Sequence, residues 1–357
     1  MKKMLLIILI FVIGYFVYVE SRLSVPHKTN FISKPFMSPT RFITITPVPE
    51  KLPIKKVLTN DYQVFQTFNN CGPASLSMAL SYFNIHVSQK DLGDSLRPFQ
   101  NPQGDNDDKS VTLDEMADEA KKYNLIPYHR PNGNAELVKL FITADTPVLV
   151  RTLLTPDDDI GHYRVIKGYD DSSHIFIQDD SMQGHNVAYS YEEFNRMWKF
   201  FNYEYLVLVP AEKEKIARHI LGENVDIKTS WKLAAEFSEK QLAENPSDIF
   251  ARFNRSVALY NIGDYNGSIT EYERVEKQLP LRTLWYQIEP IEAYYEVGNY
   301  EKVFSLTDEI VNHGNRAFSE VYYLRAKIYS KQSRPDLAKE EFDTAVYYNH
   351  NFAGKSF

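Results

Sequence analysis

Cysteine is nearly absent from this 357-residue chain, which has only Cys71. A lone thiol forms no intramolecular disulfide, so a disulfide-stapled fold is excluded. Glycine is sparse, at 14 residues, and no Walker-type Gly-rich loop occurs. The P-loop route to nucleotide phosphates is therefore closed. Neither Asp105-Asn-Asp-Asp108 nor Asp157-Asp-Asp159 has the ligand spacing of a calcium loop. Both read as solvated turns, and no metal or cofactor is expected. Positive charge is not in excess either: the formal net charge is −7, against a general nucleic-acid binder. What is present is ordinary for a folded chain, with 43% hydrophobic and 24% charged residues. The length suits two or three domains.

The chain divides by composition. Met4 to Val19 are apolar without interruption, and Lys2 and Lys3 precede them. Residues 1–19 read as an uncleaved signal-anchor transmembrane helix, with the lysines inside and the bulk of the chain extracytoplasmic. A cleaved signal peptide, releasing a secreted protein, is the alternative. Residues 20–58 carry Pro26, Pro35, Pro39, Pro47, Pro49 and Pro53 among seven Lys and Arg and two Glu. They read as a stiffened basic linker.

Residues 59–212 mix helical and strand signals. The run from Cys71 is helix-like and ends near Asn84. Thr112-Leu-Asp-Glu115 is a capping box, with Val111 and Met116 as its hydrophobic staple, and opens a helix to about Tyr123. Ser190-Tyr-Glu-Glu193 opens another, which carries Trp198. Pro147-Val-Leu-Val-Arg-Thr, Tyr163-Arg-Val-Ile-Lys, His174-Ile-Phe-Ile-Gln and Tyr205-Leu-Val-Leu-Val read as strands. Helices first and strands after predict an α+β domain.

Residues 213–357 are helical and periodic. Gly263-Asp-Tyr265 recurs 35 residues on as Gly298-Asn-Tyr300, and a further 35 residues lead to Ser333-Arg-Pro335. Pro246 and Pro280 each end a repeat. The period, the Gly-x-Tyr and the closing proline resemble the tetratricopeptide repeat, which implies an all-α solenoid that binds a protein partner.

Cys71 stands where loop residues give way to a helical run, in Asn69-Asn70-Cys71-Gly72-Pro73. A thiol at a helix N-terminus feels the positive end of the dipole, which favours thiolate. A buried small hydrophobe is the bland alternative. A thiolate nucleophile needs a base, an orienter for that base and an oxyanion donor. Outside the linker and repeats the histidines are His86, His129, His162, His174 and His185. His162 follows an acidic loop and begins a strand. If the hairpin turns at Asp170 and Asp171, His162 lies opposite Asp179. Asp180 then points to the other face unless the register slips by one. Gln66, or alternatively Gln63, is the oxyanion-donor candidate. The acidic loop beside His162 would favour a basic substrate.

Three ordered motifs carry a resemblance: Gln66-Thr-Phe-Asn-Asn-Cys71-Gly-Pro-Ala-Ser, Gly161-His162-Tyr-Arg-Val-Ile-Lys-Gly168-Tyr-Asp, and Gln178-Asp179. Over roughly 60–210 the chain resembles the papain-like bacteriocin-processing, double-glycine cysteine peptidases, more their stand-alone relatives than the transporter-fused form. The resemblance implies a papain-like fold, with Cys71 as nucleophile, His162 as base, Asp179 as orienter and Gln66 as oxyanion donor. The family usually has Asp-Pro where this chain has Asp179-Asp180, so the identity of the orienting carboxylate stays open. The expected protein is a membrane-anchored extracytoplasmic cysteine peptidase acting on a peptide or protein substrate. A catalytically silent envelope scaffold and a thiol-dependent amidase or acyltransferase are the alternatives.

Overall fold

Alternating apolar residues in the middle of the chain build a seven-stranded sheet, every pair antiparallel. The computed structural model describes residues 51–97, 111–156 and 158–357, all within one compact unit, Ile45–Phe357. The strands are β1 (Lys55–Val57), β2 (Ile126–Arg130), β3 (Val148–Leu153), β4 (Gly161–Asp170), β5 (Ile175–Asp180), β6 (Gly184–Ser190) and β7 (Tyr205–Val209). Their order is β2-β7-β3-β4-β5-β6, and β1 pairs with the far end of β4.

Successive side chains of a strand point to opposite faces, so each central strand feeds two cores. Leu149, Tyr163, Val165, Leu206 and Leu208 pack with helices α1 (Cys71–Ser81), α2 (Gln89–Leu96) and α3 (Leu113–Lys121). Val148, Val150, Ile166, Val207 and Val209 pack on the other face with α4 (Ala135–Thr143), α5 (Tyr191–Lys199) and α6 (Glu214–Leu221). With both faces covered, β3 and β7 are buried along their whole length. Both expected capping boxes form: Thr112 and Glu115 bond reciprocally at α3, as do Ser190 and Glu193 at α5.

Two expected boundaries move. The end of the supposed linker is not a tether, because Lys55–Val57 is a strand of the sheet. Gly168 admits it: a Cβ there would stand 2.9 Å from the Lys56 carbonyl oxygen. At the other border, Ala217 and Leu221 of α6 belong to the core under the sheet, so the α+β domain runs past 212. The signal-anchor expected at 1–19 and the linker up to residue 50 lie outside the described residues. Among the described residues, no helix is long and apolar enough to cross a membrane.

A C-terminal helical region follows, with α7 (Ile227–Glu244), α8 (Ile249–Ile262), α9 (Tyr265–Glu273), α10 (Thr283–Tyr286), α11 (Glu289–Glu296), α12 (Tyr300–Asn312), α13 (Ser319–Lys331) and α14 (Pro335–Tyr348). The three recurrent segments occupy the same place, the turn inside a helix pair. Gly263, Gly298 and Ser333 hold φ of +90°, +79° and +57° there. Asp264 and Asn299 then cap α9 and α12. The region has its own apolar core, including Trp231, Val257, Tyr272, Trp285, Ile291 and Val321. It docks on the α+β domain through Gln287 Nε2, which donates to the Phe200 carbonyl at 2.9 Å, and Asn254 Nδ2, which donates to the Lys199 carbonyl at 2.7 Å.

Replacing Gly168 by Ala should push β1 off β4 and destabilise the fold by about 1–3 kcal/mol. Urea unfolding measures it; an unchanged midpoint would mean that β1 is not held at this distance.

Candidate active site

Cys71 is the first residue of α1, with Asn70 at its N-cap. The loop before it is tied down at several points. Gln89 Oε1 accepts from the Thr67 N–H at 2.9 Å, and Gln89 Nε2 donates to the Phe65 carbonyl at 2.7 Å. Asn70 Nδ2 donates to Thr67 Oγ1 at 2.8 Å. The thiol is thus delivered at a helix N-terminus by a braced loop, and it is buried.

His162, at the start of β4, is 2% exposed. The Cys71 thiol is within hydrogen-bond reach of it. On its other side, Nε2 lies 3.0 Å from Asp180 Oδ1. With Nε2 engaged by the carboxylate, Nδ1 is the nitrogen left to face the thiol. Burial works against the charged imidazolium. The Asp180 and Cys71 hydrogen bonds outweigh it, and the His162 pKa is raised above its ordinary 6.5.

The carboxylate is therefore Asp180, not Asp179, and this corrects the expected opposition. The hairpin turns through residues 171–174, with Asp170 facing Ile175. That longer turn alone would keep Asp179 on the face of His162. A β-bulge reverses it: Ile166 faces Gln178 and Gly168 faces Ile177, so Lys167 is one extra residue on β4. Beyond the bulge Asp180 lies opposite Arg164, on the face that His162 shares, and Asp179 lies opposite Val165. Asp179 instead accepts from Lys167 Nζ at 2.7 Å, with His185 Nδ1 also at 2.7 Å and the Tyr82 hydroxyl at 3.2 Å.

Asp180 is fully buried, and burial alone would keep it protonated. Hydrogen bonding and charge with His162, the Arg164 guanidinium and the Gln183 N–H reverse that, taking its pKa down to about 2. Oδ1 accepts from the backbone N–H of Met182 at 2.7 Å and of Gln183 at 2.9 Å, and Oδ2 lies 2.9 Å from Arg164 Nε. Arg164 also donates to the Leu153 carbonyl at 2.8 Å and to Thr152 Oγ1. The sequence reading missed Arg164 as a site residue. Its signal was its spacing, two residues from His162 on a strand and hence on one face.

The glutamines separate. Gln63 Nε2 donates to the Asp180 carbonyl at 2.8 Å, bracing the carboxylate's backbone. Gln66 Oε1 accepts from Ser181 Oγ at 2.7 Å, which makes Nε2 the donor end of its amide. Of the other histidines, His129 is held between Asp114 at 2.6 Å and Glu204 at 2.9 Å, and His185 joins Asp179. Of the acidic loop before His162, Asp159 is paired with Arg282 of the helical region. Among the described residues there is no group of three or more His, Cys, Asp or Glu placed to hold a metal ion.

The pH dependence follows from these directions. Asp180 is depressed below its ordinary 3.8, so it adds stability above that value, lost as the pH falls toward about 2. His162 is raised, so its contribution is complete below 6.5 and is lost as the pH rises through its folded pKa. Asp180→Asn should cost about 3–5 kcal/mol by stranding Arg164. It should also drop the His162 pKa in an NMR titration, whereas Asp179→Asn should leave that pKa in place. The reverse pattern would restore Asp179 as the partner.

Residues 56–206 match the model of the Peptidase_C39 like family, so the likeness falls on the α+β domain that carries Cys71, His162 and Asp180. Among curated proteins, none matches the chain. Two solved structures are similar. One is the peptidase domain of Streptococcus ComA, a bi-functional ABC transporter involved in a quorum-sensing pathway. It is 18% identical, with a TM-score of 0.33, over 43% of this chain and 98% of that one. The other is a double glycine motif protease from an AMS/PCAT transporter in complex with the leader peptide. It is 20% identical, with a TM-score of 0.33, over 44% of this chain and 99% of that one. By the family match, the α+β domain is similar to a peptidase C39-like domain.

Proposed function

We propose that the protein is a papain-like cysteine peptidase in which Cys71 is the nucleophile, His162 the base, Asp180 its orienter and Gln66 an oxyanion donor. The observation that carries this reading is the chain of contacts from Cys71 through His162 to Asp180. In it, the one thiol of the protein begins a helix beside an imidazole that a buried carboxylate steadies.

The chemistry balances within these residues. The Cys71 proton resides on His162 Nδ1, and the imidazolium is stabilised by Asp180. The thiolate adds to the scissile carbonyl carbon, and the oxygen takes the negative charge opposite the Gln66 amide. His162 gives its proton to the leaving amine as the C–N bond breaks, leaving a thioester. Water then attacks the thioester while His162 takes its proton. The C–S bond breaks, the acid product leaves, and the Cys71 thiolate and His162 imidazolium are restored.

The rest of the reading concerns place and partner. The apolar segment 4–19 behind two lysines supports a single-pass anchor with the peptidase outside the membrane. The 35-residue recurrence, with its left-handed turn residue in each helix pair, supports tetratricopeptide-type repeats that bind a protein partner or substrate.

Iodoacetamide alkylation of the full chain, followed against pH, tests the dyad directly. Cys71 should react fast well below the ordinary thiol pKa of about 8.5. His162→Ala should abolish that reactivity, and Asp180→Asn should reduce it. Peptide cleavage should fall at least about 100-fold in either Cys71→Ser or His162→Ala. If Cys71 behaves as an ordinary thiol in all forms, the scaffold reading takes the place of this one.

A further inference from the structure

The repeat pattern breaks at one place. The helices that follow the turns at Gly298 and Ser333 have 13 and 14 residues, but α9, after Gly263, has 9. The chain then leaves the helical stack, passes Pro280 and forms the four-residue α10 before α11 resumes the array. What this excursion reaches is the site. A cleft of about 470 Å³ has Phe68, Cys71 and Gly161 on one side and Leu281, Arg282 and Tyr286 on the other. The first group belongs to the α+β domain and the second to the helical region.

Tyr286 is the close contact. The backbone of Gly161, the residue before His162, lies within reach of its hydroxyl. Its ring lies so near Gly161 that a Cβ there would stand 3.2 Å from the ring carbons, and 3.3 Å from the Phe201 ring. A Cβ there would crowd the ring, which would have to give by a few tenths of an ångström. The backbone carbonyl of Tyr286 accepts from Arg151 Nη1 at 3.2 Å, and the Arg151 guanidinium lies 5.1 Å from the Tyr286 ring centre and 4.6 Å from that of Phe201. Arg282 pairs with Asp159, two residues before Gly161. The helical region thus grips the segment that leads into the base at two points and β3 at a third, while Leu281, 57% exposed, stands at the rim of the cleft.

We propose that the helical region is a working part of the active site. Tyr286 is a positioning residue that sets His162 through Gly161, and Leu281 with its neighbours forms the second wall against which the acyl side of a peptide substrate lies. This inference rests on the peptidase reading. It assigns the helical region a direct role in both base alignment and substrate selection, beyond the capture of a partner at a distance.

Two probes of the full chain separate the two roles. Iodoacetamide is too small to sense a wall, whereas a trialanine chloromethyl ketone, whose reactive carbon follows the acyl side of the peptide, must lie along it. Tyr286→Phe keeps the ring and loses the hydroxyl, which should lower the iodoacetamide rate at pH 6 by about five- to tenfold and move the pH midpoint upward. Gly161→Ala pushes the ring away from the other side and should move the profile in the same direction. Leu281→Ala should leave the iodoacetamide profile in place and raise the half-saturating concentration of the peptide probe about three- to fivefold. Lys339→Ala, in an exposed pair far along the array, should change neither. Circular dichroism checks that each variant is folded, and Tyr286→Phe removes a single oxygen from a seated ring. A low-pH profile in the unaltered chain that Tyr286→Phe does not move overturns the positioning role. A peptide half-saturation unmoved by Leu281→Ala overturns the wall. An ordinary thiol profile in the unaltered chain overturns the peptidase reading itself, and this inference with it.

Discussion

A single buried carboxylate holds this site together. Asp180 is buried, so its charge is tolerable only because donors converge on Oδ1 and a guanidinium lies against Oδ2. Two backbone N–H groups of the turn after β5, the Arg164 guanidinium and the His162 ring converge on its two oxygens. The turn is thereby folded around the carboxylate, and the arginine is anchored against the carbonyls at the end of β3. The histidine has one nitrogen committed. Its other nitrogen is aimed by default, and a thiol at the head of α1 lies within its reach.

The sheet makes that convergence possible through one irregularity. Strand geometry allows a residue only two facings, so the choice between Asp179 and Asp180 is a matter of parity. The extra residue Lys167 changes the parity, and the same bulge lies beside Gly168, where β1 crosses close to β4. The displaced Asp179 is not wasted structurally. It meets Lys167 itself, His185 and Tyr82 at the end of α1, tying the far end of the cysteine's helix to β5. Two adjacent acids thus serve the two faces of one sheet, one at each end of the same helix.

The helical region lies beside the candidate site because it is docked rather than tethered. Phe201, Met197 and Leu153 form a small apolar cluster against which Phe250 and Tyr286 pack from the other side. Bonds from Gln287 and Asn254 to the carbonyls at the end of α5 fix the angle of approach. The excursion between α9 and α11 runs beside the segment 159–161, and residues of both regions line the cleft over Cys71.

Much of this was legible in local pattern. Capping boxes at Thr112 and Ser190, the apolar strands β3, β4, β5 and β7, the helix opening at Cys71 and the recurrence of the helical turns all rest on spacing within a few residues. Those spacings act through neighbouring backbone groups and side-chain alternation, which a sequence displays directly. Strands β1, β2 and β6 were hidden because β1 has three residues, β2 carries Pro127, and the edge strand β6 is largely polar. The sequence by itself determined that the one thiol would stand at a helix start and that a histidine and an acid would follow in strands. Only the tertiary structure decided which acid and which wall. The bulge at Lys167 reverses a parity that composition cannot reveal, and the meeting of Tyr286 with Gly161 joins residues 125 positions apart that no local rule connects.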